Sequence, residues 1–122
     1  MQPNPYATAQ RETLSGRALE REVFARTTAR LAAADPKAPG GPAALAGALE
    51  ENRRLWCVLA ADLAGPKNAC SDHLKAGLLS LAAFVCSHTA QVAAGRAGHN
   101  VLVLINRDII AGLSNVPAAE AA

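Results

Sequence analysis

Apolar residues recur along the chain at steps of three and four, and clusters of proline and glycine separate the recurring stretches. Asp35-Pro36, Pro39-Gly40-Gly41-Pro42, Gly65-Pro66 and the run from Gly95 to Gly98 each place helix-breaking residues between apolar segments. Four helices are therefore predicted, at about 7–34, 42–64, 71–94 and 100–114, within a single helical domain spanning 7–115. Residues 1–6 and 116–122 are predicted to be flexible tails.

The segments differ in how sharply they are patterned. In the first, Leu19, Val23, Thr27 and Leu31 form a row at steps of four, but Arg11, Arg17, Arg21, Arg26 and Arg30 are spread around the helix with Glu12, Glu20 and Glu22 between them. No wide apolar face emerges, and this arm is expected to depend on a partner for its order. In the second, Leu45, Leu49, Asn52, Trp56, Leu59 and Leu63 follow a 4,3,4,3,4 spacing that draws one stripe, broken only by Asn52. Pro42 marks its start, and Gly65-Pro66 predicts a left-handed cap and a stop. Glu50 and Arg54, four apart, are placed to pair on its solvated face.

The third segment has Ser71 as N-cap, Asp72 at the positive end of the helix dipole and Gly95 as C-terminal stop. Leu74, Leu78, Leu81, Val85, His88 and Val92 make its main stripe, while Leu79, Ala82, Ala83 and Phe84 carry apolar character around to a second side. Such a helix is expected to be central and to pack against more than one neighbour. The fourth segment opens on the β-prone run Val101 to Ile105, yet Leu102, Ile105, Ile109 and Leu113 hold a helical spacing past it, so a helix is predicted.

Composition sharpens this picture. Aromatics make up only 3% of the chain while hydrophobic residues reach 51%, so the core must be assembled from Ala, Leu and Val. That suits close helix packing better than sheet, and the fold class expected is all-α, a small single-domain bundle of about four helices. The 12 basic and 10 acidic residues are interspersed without a like-charged run, which argues against a polyanion-binding tail. There is no basic and apolar leader, and the apolar stretch Leu74 to Val85 is shorter than the roughly 20 residues a spanning helix needs. A soluble, cytoplasmic protein with no membrane contact is expected.

Candidate chemistry is sparse. Cys86 and His88 project about 200° apart on a helix and cannot chelate one ion together. Cys57, Cys70 and Cys86 are accordingly read as buried structural thiols. Gly95-Arg96-Ala97-Gly98 follows a helix rather than a strand, so it is no phosphate loop, and no nucleophile motif is present. Neither enzymatic activity, nor a cofactor, nor a metal is expected.

At the second helix the wording becomes specific. Asn52-Arg53-Arg54-Leu55-Trp56, then Leu59, Asp62-Leu63, Pro66 and Asn68, resembles the pattern of the flagellar biosynthesis regulator family FlaF, with its R-x-L-W segment, DL pair and P-x-N turn. Leu74 to Phe84 is similar to the family's apolar helix after that turn. Leu104-Ile105-Asn106-Arg107 with Ile109 and Gly112-Leu113 is similar to its ending, with a spacing one residue different, and Tyr6 precedes an Arg/Glu-rich first helix as in the family. Phe84 stands where the family often carries a tryptophan.

The resemblance implies a post-transcriptional regulator of flagellin synthesis, linked to flagellin binding and export and working alongside the regulator FlbT. Flagellin's amphipathic terminal helices need a cytoplasmic partner for their apolar faces, and a helical protein with apolar stripes can offer a groove. The expected groove lies between the second and fourth helices, with Arg53, Arg54, Trp56, Leu59, Asp62, Leu63, Asn68, Ile105, Asn106 and Ile109 as partner-binding residues. Two competing readings remain: an RNA-binding regulator acting on flagellin messages through the first-helix arginines, and a helical oligomeric scaffold without direct flagellin contact.

Overall fold

The computed structural model describes residues 21–66 and 70–115, except for the side chains of 113–115. The expected tails at 1–6 and 116–122, the first half of the predicted first helix and Asn68 lie outside the described residues. Among the described residues the protein is all-α, with four helices and no strand: α1 (21–33), α2 (Gly41–Ala64), α3 (Asp72–Ala93) and α4 (Asn100–Asn115). The β-prone run at 101–105 is helical throughout.

Local chemistry sets the joints. The helix α1 stops ahead of Asp35-Pro36, where the proline ring disfavours helical backbone in the residue before it. Two turns follow, closed by Ala38 N–H to the Asp35 carbonyl at 3.1 Å and Gly41 N–H to the Ala38 carbonyl at 2.8 Å. The Asp35 carboxylate accepts from the Lys37 N–H at 2.9 Å. This reversal is so tight that a Cβ on Gly41 would stand 1.8 Å from the Asp35 carbonyl oxygen, so only glycine fits. Gly40, with φ +71°, caps α2, which places Pro42 in the first turn.

At the far end of α2, Gly65 is extended (φ −70°, ψ 148°) rather than left-handed, because Pro66 follows it and favours extended backbone there. The left-handed cap expected at this point is absent. At α3 the predicted signals operate: Ser71 Oγ accepts from the Leu74 N–H at 3.2 Å. Gly95, at φ +75°, donates to the Val92 carbonyl while Arg96 donates to the Gln91 carbonyl, closing the helix end with paired bonds to otherwise orphaned carbonyls.

The core gathers Phe24 and Leu31 of α1, Ala48, Leu49 and Trp56 of α2, Ala82, Val85 and Val92 of α3, and Leu102 and Val103 of α4. Phe24 meets the Trp56 ring edge-to-face, with centroids 5.5 Å apart at 88°. The described part of α1 is thus anchored within the chain itself, through Thr27 and Leu31 of the predicted row together with Phe24 and Thr28, while Val23 of that row is half-buried. Arg30 pairs with Glu51, whose carboxylate also accepts from Thr27 Oγ1 at 3.3 Å. The buried hydroxyls of Thr28 and Thr89 return to the carbonyls of Phe24 and Val85, one turn earlier.

The long contact is between α2 and α3, with α4 touching α3 over a shorter stretch. As expected, α3 packs against two neighbours, α2 and α4. Among the described residues its buried side chains are Ala82, Val85, Thr89 and Val92, while Leu74 and Phe84 are exposed. Its bounds fall within the predicted 71–94, and at 22 residues the whole helix, unlike the shorter stretch Leu74 to Val85, is long and apolar enough to cross a membrane by length and composition.

Candidate functional site

The stripe of α2 that Asn52 interrupts turns out to be organised by that residue. Trp56 and Asn52 lie one turn apart and face α4, where Asn106 is fully buried between them. The Trp56 indole N–H donates to Asn106 Oδ1 at 2.9 Å, and Asn106 Nδ2 donates to Asn52 Oδ1 at 2.7 Å. An indole N–H can only donate, so it fixes the orientation of the Asn106 amide, which in turn fixes that of Asn52. Asn52 Nδ2 ends the relay as a buried donor with no acceptor among the described residues. The relay also rotates α4: its buried edge runs through Leu102, Val103 and Asn106, while the predicted stripe residues Ile105 and Ile109 are half-buried.

The expected partner-binding residues therefore separate into three groups. Trp56, Leu63 and Asn106 are buried and present no surface in this conformation, so the groove expected between α2 and α4 is filled by the protein's own side chains. Leu59, Ile105 and Ile109 are half-buried, packed on the margin of the core. Arg53, Arg54 and Asp62 lie on the outer side of α2. There Glu50 accepts from Arg53 Nε at 3.0 Å and Nη2 at 2.6 Å, and stands 3.8 Å from Arg54. The forked bond from Arg53, with the nearby positive charges, holds the Glu50 carboxyl below its ordinary value. The tighter partner of Glu50 is thus Arg53 at three residues, not Arg54 at four.

The apolar surface lies elsewhere. Over Asp72–Leu81, the first ten residues of α3, no residue is buried by the described parts of the chain. Yet this half carries Leu74, exposed, and Leu78, Leu79 and Leu81, half-buried, and is followed by exposed Phe84. Phe84 stacks on the His88 ring, with centroids 5.4 Å apart at 17°, and His88 Nε2 is 3.0 Å from the Gly98 carbonyl oxygen. The sequence signal for an open face was present in Lys75, Gly77 and Ser80, which interrupt the apolar run without breaking the helix.

The thiols are not the buried structural groups expected: Cys57 is exposed and Cys70 and Cys86 are half-buried. Among the described residues no three His, Cys, Asp or Glu side chains converge as a metal site would require.

These observations describe a helical protein with a closed core and an apolar first half of α3 that the described residues leave partly uncovered. A family model described as "Flagellar protein FlaF" matches residues 2–113 of the chain. No curated relative and no solved structure matches it.

Proposed function

The chain belongs to the flagellar protein FlaF family, and from that premise we propose that it binds flagellin in the cytoplasm as a chaperone-like partner, promoting flagellin synthesis and secretion in functional connection with FlbT. The observation that supports this reading is the first half of α3, where Leu74, Leu78 and Leu81 continue the stripe of buried Val85 and Val92 beyond its covered part, flanked by exposed Phe84. An amphipathic helix of flagellin, whose own apolar face lacks its filament partners, would bury both surfaces by lying along this strip. Recognition of this kind relies on i, i+3, i+4 and i+7 anchors, and Leu74, Gly77, Leu78, Leu81 and Phe84 provide them with a glycine gap for close approach. The groove of this proposal runs along α3 instead of between α2 and α4.

The test is size-exclusion chromatography with light scattering of the protein mixed with monomeric flagellin at physiological salt. A stoichiometric complex is expected, weakened at least tenfold by Phe84→Asp and by Leu74→Asp, with circular dichroism of both variants unchanged. Two separate peaks at concentrations well above micromolar would overturn the proposal.

A further inference from the structure

The edge where α2 meets α3 carries chemistry that flagellin binding does not use. Cys57 Sγ and Cys86 Sγ are 4.0 Å apart, on facing helices and 29 positions apart in sequence. Neither is engaged in a disulfide. Cys57 is exposed, with Arg53 Nη1 at 3.6 Å from its sulfur, and Cys86 is half-buried behind it. Two thiols this close, one open to solvent and one sheltered, have the arrangement of an attacking and a resolving cysteine. A disulfide needs the sulfurs at about 2.05 Å, so closure requires them to approach by about 2 Å.

We propose that Cys57 and Cys86 form an oxidation site that takes up a low-molecular-weight disulfide as oxidant and closes to an intramolecular cystine joining α2 to α3. The Cys57 thiolate attacks one sulfur of the small disulfide, forming a mixed disulfide and releasing one small thiolate. The Cys86 thiolate then attacks the Cys57 sulfur, and the second small thiolate leaves. Two protein thiols are oxidised, their two protons pass to the released thiolates through solvent, and one small disulfide is reduced to two thiols. Burial, and then its contact with Cys57, push the Cys86 thiol above the ordinary thiol range, so the resolving step speeds up as pH rises. Cys70 lies just ahead of α3, 16 positions before Cys86. The site is independent of the flagellin reading and stands or falls separately.

The experiment incubates the full reduced chain with glutathione disulfide, blocks remaining thiols with a maleimide, and reads intact mass and the cross-linked peptides. The expected product carries one maleimide, on Cys70, and no retained glutathione, and links the Cys57 peptide to the Cys86 peptide. The Cys86→Ser variant is expected to trap glutathione stably on Cys57, and the Cys70→Ser variant to form the same cross-link as the parent chain. Three blocked thiols, a parent chain that retains glutathione, or a linkage involving Cys70 would each overturn the proposal. Because the decisive reading is made on the unsubstituted chain, it does not depend on any variant folding.

Discussion

The inner side of the molecule and the outer half of α3 invert the usual relation between hydrophobicity and burial. Around Trp56, four polar residues, Thr27, Thr28, Asn52 and Asn106, are buried together with the apolar core. By contrast α3, the most apolar of the helices α2 to α4, has no fully buried residue among its first ten within the described structure. What separates the two regions is partner supply. Each inner polar group except Asn52 Nδ2 finds a hydrogen bond, so its burial costs little and the direction of those bonds fixes how α4 sits on α2. The leucines of α3 have no such directional demand, and the described residues cover Leu78, Leu79 and Leu81 only in part and leave Leu74 exposed.

The comparison predicts opposite outcomes for two aromatic truncations. Trp56→Ala removes a fully buried ring, its edge-to-face contact with Phe24 and the donor that orients Asn106, and is expected to destabilise by about 3–5 kcal/mol. Phe84→Ala, on an exposed ring, is expected to change stability by less than about 0.5 kcal/mol. Urea unfolding followed by circular dichroism measures both. Equal losses would mean that the flank of α3 at Phe84 is as enclosed as the core.

The polar relay gives the next largest effect and tests its direction. Asn106→Ala leaves both the Trp56 N–H and Asn52 Oδ1 buried without partners, and is expected to cost about 2–4 kcal/mol. Asn52→Ala strands only Asn106 Nδ2 and also removes the unsatisfied Asn52 donor, so about 1–2 kcal/mol is expected. In a double-mutant cycle the two changes should be strongly non-additive, because they share one bond. Additive losses would show that the two amides act independently.

Glycines separate the regions again, with opposite signs. Gly41→Ala drives a Cβ onto the Asp35 carbonyl and is expected to destabilise by about 2 kcal/mol, since backbone rather than a flexible side chain must move. Gly77→Ala, on the open face with nothing within 4 Å, is expected to stabilise α3 by about 0.8 kcal/mol through helix propensity. If Gly77 serves as the gap through which a flagellin helix approaches, the same variant should bind flagellin more weakly while melting higher. That pairing of stability gained and affinity lost would tie the open face to its proposed use.

How legible this was from the sequence follows from the range of the interactions. Ser71, Gly95 and the β-prone but helical run at 101–105 were readable because capping and periodicity are local, decided within one turn or two of chain. Gly65 was misread because its neighbour Pro66 overrides glycine's freedom. Asn52 was visible only as a break in a stripe, since its meaning depends on Asn106, 54 positions away. Trp56 was read from its place on the stripe as core more readily than as contact, but which groups close over it, Phe24 and Asn106, depends on residues far along the chain. The half-open α3 was hidden by its own composition, which predicts burial without saying what would do the burying.

The smallest effect lies at the solvent rim, on the side of α2 away from the relay. The Glu50 carboxyl is held below its ordinary value of 4.5, first by the hydrogen bond from Arg53 and then by the charges of Arg53 and Arg54. A carboxyl lowered in the folded state contributes stability above its unfolded pKa and loses it as pH falls through the folded pKa. Stability should therefore drop on acidification below about pH 4.5 by a component that Glu50→Gln lacks. At neutral pH the two proteins should differ only slightly, because the pair is exposed and screened by solvent. Thermal midpoints of both chains between pH 3 and pH 7, on a ~0.5 unit grid, measure the component. A gap that widened toward acid would reverse the sign and assign the stabilisation to a different carboxylate, whereas convergence toward acid locates it at Glu50. Either way the rim contributes far less than the relay, because water competes for every bond at Glu50 and for none at Asn106.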